Sequence, residues 1–232
     1  MARKIREVVA QTWQSEANLT VFLALLVLFV FVLPSLGLEE KNERLYFAVV
    51  FSLLLITGVT IAWRRRAVFF LASTVAVVAL FVRWTGLLYP TSALGIWPEL
   101  ANIAALLMLL YILLSQVFAP GPVTPMRIQG AMAAYLLFGV GWANAYAIVA
   151  STIPRSFSLP GHDASSITNW FYYSFVTLTT LGFGDIVPAH PIARSLTIAE
   201  VLTGQLYLAV LIGRLVGMQI SSGSTTRDQQ ST

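Results

Sequence analysis

The sequence predicts an all-α membrane protein of six transmembrane helices, with a shorter re-entrant helix and an extended loop between the last two. Three observations predict it. The composition is 57% hydrophobic and only 10% charged, against roughly 45–50% apolar and about 25% charged in water-soluble domains. Six intervals are apolar over lengths close to the ~20 residues that carry a helix across a bilayer. A further apolar run, residues 170–180, is too short to cross and sits directly before a glycine-containing polar stretch.

The elements follow in order. Residues 1–16 place Ile5, Val8, Val9 and Trp13 on one side of a short interfacial helix, with a solvated tail as the other reading. A cleaved signal is disfavoured, because the apolar core that follows exceeds the usual ~7–15 residues and no A-x-A-like site follows it. The spans are residues 17–38, 45–63, 67–82 (apolar on past Arg83 to about 88), 101–118, 128–152 and 196–220. The breaks "LEEKNER", "WRRR", "YPTSALGIWP" and "APGPVTP" carry the charges, prolines and glycines that end helices. Trp63, Trp84, Tyr89 and Trp97 fall near span ends, where aromatic belts form. The last twelve residues, "SSGSTTRDQQST", read as a disordered tail.

Charge gives the orientation. With the N-terminus inside, nine Lys and Arg (Arg3, Lys4, Arg6, Arg64, Arg65, Arg66, Arg127, Arg214, Arg227) face the cytoplasm and five (Lys41, Arg44, Arg83, Arg155, Arg194) face out. The short "RRR" loop weighs most in that count. Both termini are then cytoplasmic, and the stretch between spans five and six lies outside. The formal charge of +4 comes from residues scattered between apolar runs. These are topology charges and not a nucleic-acid surface. With no cysteine, disulfides, thiol chemistry and Cys-based metal sites are excluded. An enzyme is not expected either, since no acid–base constellation, phosphate-cradling loop or metal-ligand set occurs, and no cofactor is implied.

The stretch "TLTTLGFGDIVP", residues 177–188, holds the most informative spacing. Non-helical backbone at membrane depth is tolerated only when it is buried in protein or lines water. Neighbouring carbonyls along an extended strand point in opposite directions. Pointing them all one way needs alternate left-handed residues, which glycine adopts at little cost. Gly182 and Gly184 supply two such positions, so Thr180, Leu181, Gly182 and Phe183 form a ladder of carbonyl oxygens able to replace the water shell of a cation. Leu181 and Phe183 then point away from the ladder and wedge the strand against its support.

Thr177-x-x-Thr180-x-Gly182-Phe183-Gly184-Asp185 resembles the potassium channel signature Thr-x-x-Thr-x-Gly-Tyr/Phe-Gly-Asp. It also sits in the context of that family: fifth span, short aromatic-rich helix, filter, sixth span. The specific resemblance covers about residues 126–220. It implies an N-terminal four-helix membrane domain (1–125), a pore domain (126–220) and a cytoplasmic tail (221–232). Since one chain carries one filter strand, it also implies a homotetramer conducting K⁺ passively, with K⁺ as cargo, in contact with lipids of the cell's inner (plasma) membrane. Phenylalanine stands where tyrosine is commoner. Thr180 to Gly184 are the expected filter. Thr179, Tyr172, Tyr173, Asp185 and Glu200 are the expected supports, with Tyr173 in the place of the aromatic that bonds the mouth aspartate. Trp170, Phe171 and Tyr172 read as a bracing cuff or an interface belt.

Glu200 lies about 10 Å along the last span at ~1.5 Å per residue, so it should face protein or water. It reads either as a proton-sensitive brace bonded to Thr177 or a neighbour, or as a structural acid. Gly204 resembles the family's gating hinge, or else a small residue for close packing. The stripe Gln205, Leu208, Ile212 and Val216 is the expected axis-facing face, with Ile212 and Val216 as a hydrophobic gate. His162 and His190 are expected to be exposed and inert.

Residues 101–126 contain no Lys or Arg, unlike the fourth span of voltage-gated channels. No steep intrinsic voltage gating is therefore expected, and Arg83 should snorkel to the interface. The four spans then read as a brace, a lipid sensor or a docking surface. Competing readings are a weakly selective cation channel, a transporter subunit related to the channel fold, and a non-conducting regulatory subunit.

Overall fold

The computed structural model describes residues 17–37, 40–63, 65–88, 97–119, 121, 123–161 and 163–229, with side chains from residue 42 in the second helix and to 217 in the last. The expectations for residues 1–16 and for His162 lie outside the described residues. Six helices long and apolar enough to cross a membrane are present: α1 (Ala17–Ser35), α2 (Glu40–Ile61), α3 (Arg66–Leu88), α4 (Trp97–Val117), α5 (Pro125–Thr152) and α7 (Pro191–Gln229). Between the last two lie strand β1 (Phe157–Ser158), the short helix α6 (Ile167–Leu178) and strand β2 (Val187–Pro188). The chain is an integral membrane protein of the all-α class.

Each span turns one stripe inward and leaves the rest for lipid. In α1, Leu19, Phe22, Leu26, Phe29, Val30 and Leu33 are buried at helical spacing while Val21 and Phe31 are exposed. A π-helical turn over Leu28–Val32 buries both Phe29 and Val30 just before Pro34. The inward stripe of α3 is Ala72, Ala76 and Ala79, opposite exposed Phe70, Val77 and Phe81. Small residues let membrane helices approach where lipid supplies no hydrophobic drive between them. The same logic brings α2 against α4 at Gly58, where an added Cβ would lie 2.2 Å from Leu109 Cδ2.

α5 is the hub. Its face of Gly130, Ala131, Ala133, Ala134, Leu137, Val140, Ala143 and Tyr146 is buried, and it packs on α4, α6 and α7. One buried cluster runs from Leu19 in α1 through this face to Tyr207 in α7, so the two expected domains share a single core. β1 and β2 pair antiparallel, Phe157 with Pro188 and Ser158 with Val187. Ala189 and His190 N–H groups both donate to the Ser156 carbonyl, which ties the outer loop to the start of α7. In that loop Asp163 accepts the Ser165 N–H and hydroxyl, and these two bonds, the backbone one foremost, hold its carboxyl below the usual carboxylate range.

Two expectations are corrected. Arg83 does not snorkel outward. Its guanidinium lies 4.8 Å from the Phe51 ring centre, near the middle of α2, because helical side chains lean toward their own N-terminus, here the inner end of α3, and the ring face attracts a cation. Arg214 is more than a topology charge. It donates to the Phe118 and Ala119 carbonyls at 2.6 and 3.0 Å, capping the end of α4 from the last helix.

Tyr207 stacks on Tyr135 and donates to the Ala131 carbonyl at 2.9 Å, joining α7 to α5. Tyr207→Phe keeps the stack and loses that bond, while the Ala131 carbonyl keeps its helical N–H partner. It is expected to destabilise the protein by about 0.5–1.5 kcal/mol, read as a lowered thermal midpoint of the detergent-solubilised chain.

Candidate ion-conduction site

α6 ends at Leu178, and the chain turns back along the helix that delivered it. Thr179 N–H donates to the Phe175 carbonyl and Thr180 N–H to that of Thr177. Leu181 and Gly182 N–H groups both donate to the Val176 carbonyl, at 2.9 and 3.3 Å. The N–H side of the run is thus spent on the helix end. Among the described residues, no backbone N–H outside the helices and strands donates to the carbonyls of Thr180, Leu181, Gly182 or Phe183.

The dihedrals alternate as the spacing of the glycines requires. Gly182 and Gly184 have φ of +59° and +80°. Thr180 is also left-handed, at +62°, and with Arg155 makes the pair of non-glycine residues in that region among those described. A β-branched residue held there is strained, and such strain persists only where the surroundings impose it. The sequence did not signal this third member of the series.

The side chains are supported unequally. Phe183 stacks on Tyr172 with ring centres 6.4 Å apart and planes 4° off parallel. Leu181 is 63% exposed in the single chain. Tyr172 also donates its hydroxyl to Asp185. The expected pairing of Tyr173 with Asp185 is therefore corrected: Tyr173 shares a hydrogen bond with Thr197 of α7 at 2.8 Å. One residue along a helix is about 100° of rotation, which puts Tyr172 on the side of Phe183 and Tyr173 on the α7 side. Trp170 is buried, edge-on to Phe157 and Tyr173, with its Nε1–H on the Ala164 carbonyl. It braces the helix from inside the fold. Thr179 turns its hydroxyl back to the Phe175 carbonyl.

Behind the strand that follows α6, Glu200 is fully buried where three helices meet. Its two oxygens take Tyr146 Oη of α5 and Ser174 Oγ of α6. The expected partner Thr177 is replaced by Ser174, one turn nearer the helix start. Ser174 Oγ also lies 2.8 Å from the Gly139 carbonyl. Ser174 Oγ thus lies between two acceptors, Glu200 and the Gly139 carbonyl.

Gly204 sits one turn further in, hard against the end of α6: a Cβ there would lie 2.7 Å from the Leu178 carbonyl oxygen. The same oxygen lies 3.4 Å from the Tyr135 hydroxyl. Gly204 is thus a close-packing contact in this structure. Gln205, Ile212 and Val216 are exposed in the single chain as one stripe, but Leu208 is partly buried against the core. His190 Nδ1 accepts the Ile192 N–H and caps α7.

The short helix α6, the strand of alternating left-handed residues after it and the long helix α7 pack together as one unit. Residues 134–219 match the family model described as ion channel. A 61-residue stretch is 39% identical to two-pore potassium channel 4 of Arabidopsis thaliana, covering 26% of this chain and 22% of that protein. A 59-residue stretch is 41% identical to the voltage-gated potassium channel of Aeropyrum pernix, covering 25% and 20%. A 76-residue stretch is 36% identical to the inward rectifier potassium channel Kirbac3.1 of Paramagnetospirillum magnetotacticum, covering 33% and 24%. The matched stretches thus span about a fifth to a quarter of these curated relatives. No solved structure matches significantly. Residues 134–219 are thus similar to the ion channel family, and the relatives that share this stretch are named as potassium channels.

The contacts of Glu200 have a measurable consequence. In Glu200→Gln the amide oxygen accepts from Tyr146 while its NH₂ donates to Ser174, so the thermal midpoint should stay near wild type. Glu200→Ala takes the carboxylate acceptor from the buried Tyr146 hydroxyl, at about 1–3 kcal/mol, leaves Ser174 with the Gly139 carbonyl alone, and should lower it clearly. A Gln variant as unstable as the Ala variant would show that the site needs a carboxylate.

Proposed function

We propose that this chain is the subunit of a homotetrameric, potassium-selective channel, in which the carbonyls of Thr180, Leu181, Gly182 and Phe183 from four copies surround a dehydrated K⁺. The alternation of left-handed residues at 180, 182 and 184 carries this reading. It turns successive carbonyls to one side, while the N–H groups of Leu181 and Gly182 are held by Val176 on the other. One strand makes a quarter of a cage. The large exposed residues around it, Leu181, Phe183, Ile212 and Val216, suit a chain that meets further copies of itself.

In this reading Asp185 stands at the outer mouth, held by Tyr172. Gln205 lines a wet cavity below the filter, and Ile212 and Val216 narrow the cytoplasmic end. Leu208 is partly turned from the axis, and Gly204 keeps α7 close to the helix end. Both termini lie in the cytoplasm, following the nine-to-five charge count. The fourth span carries no Lys or Arg, so conduction has no steep voltage dependence of its own. The relatives it resembles are named as potassium channels, which favours K⁺ over a weakly selective cation pore or a non-conducting partner subunit.

Purified chain in liposomes, with K⁺ and Na⁺ gradients, tests the reading through the reversal potential. Gly182→Ala or Gly184→Ala adds a Cβ to a left-handed residue at about 1–2 kcal/mol per copy, roughly 4–8 kcal/mol over four. K⁺ flux or selectivity should be lost while the tetramer still elutes intact on size exclusion. Wild-type selectivity in either variant would sink the carbonyl-ladder mechanism.

A further inference from the structure

The contacts along the back of α6 come from the first two spans. At its start Glu43 of α2 accepts from Thr168 Oγ1 at 2.6 Å and from Ser166 Oγ at 3.4 Å. Ser166 is the residue that would cap α6, yet its side chain makes no bond to its own helix and is turned to Glu43. A carboxylate beside the first turn of a helix also faces the positive end of its dipole. One turn on, Phe171 is enclosed by Phe47, four residues beyond Glu43 on α2, and by Phe29 of α1, with ring centres 5.5 and 5.4 Å away. A further turn on, Phe175 meets Phe31 of α1 at 5.9 Å. The next residue is Val176, whose carbonyl holds two N–H groups of the filter strand. Residues 168, 171 and 175 thus form one stripe of α6, gripped along its length by α1 and α2 and ending at the filter.

We propose that Glu43 is a positioning residue for the filter, through which the four-span unit acts on the pore helix as well as on the inner end of the pore. The inference rests on the reading of residues 180–184 as the filter. Phe29, Phe47 and Phe171 make the contact stiff in packing. Glu43 fixes its register, because a hydrogen bond sets the height of α6 against α2 where ring packing alone tolerates sliding. A shift or tilt of α1 and α2 is then delivered to the Val176 carbonyl and to the strand hung on it.

Full-length protein in liposomes, recorded as single channels, tests this. Glu43→Ala and the near-isosteric Thr168→Val should each change the open-to-closed ratio by about fivefold, the factor that ~1 kcal/mol makes, with the tetramer intact on size exclusion. The double variant should match Glu43→Ala, because without Glu43 the Thr168 hydroxyl has already lost this bond. Glu43→Gln, which keeps an acceptor oxygen, should recover most of the wild-type ratio. Unchanged open-to-closed ratios in both single variants, even with a lowered thermal midpoint, would make the contact merely structural and overturn the proposal. Effects that multiply in the double variant would overturn it too. A wild-type chain without K⁺ flux would overturn the channel reading, and this inference with it.

Discussion

The structure depends on one constraint: main-chain carbonyls left without N–H partners must be held in place at membrane depth. A helix satisfies its own backbone, and the strand after α6 does not. Its N–H groups are therefore led back to the end of α6, two of them on the single Val176 oxygen. The position of that oxygen sets the strand, so the position of α6 matters more than that of any other element. The chain fixes α6 from three sides: Glu200 and Thr197 of α7 hold Ser174 and Tyr173, Gly139 of α5 admits the Phe175 ring, and α1 and α2 hold residues 166–175. Of the four buried polar residues among those described, three, Ser174, Thr177 and Glu200, lie around α6, where an unpartnered group costs most and a satisfied network specifies one arrangement.

Much of the fold was legible because a bilayer imposes crude rules on length and charge. Six spans, a short re-entrant helix and a glycine-spaced strand all follow from apolar runs and from the cost of unsatisfied backbone in lipid. Span starts were misplaced wherever charged or proline-bearing turns are helical, as at Glu40 and Pro191. A charge-free window cannot see a turn that extends above the membrane. The left-handed glycines were legible, but the left-handed Thr180 was not, since nothing in a threonine announces it.

The side-chain partners were the harder part. Glu200 was recognisable as a buried acid from its surroundings, but Ser174 and Tyr146 stand 26 and 54 residues away in sequence. Tyr172 and Tyr173 exchange their expected roles through the 100° rotation between neighbours on a helix, a difference that the motif alone does not resolve. Glu43 gave no signal at all. It looked like one more charge in a polar turn, and only the packing of α2 beside α6 gives it a task.

The inner helix is moored unevenly. Thr197, Glu200, Gly204 and Tyr207 tie its outer half to α5 and α6, and Arg214 anchors it again to the end of α4. Gly213 and Gly217 stand on either side of that anchor with open space where a Cβ would lie, whereas Gly204 has none. Curvature is therefore cheaper toward the C-terminal part of α7 than beside the end of α6. The helix is clamped along its first half and freer around Gly213 and Gly217, and Arg214 is the tether that any swing of that part must carry along or release.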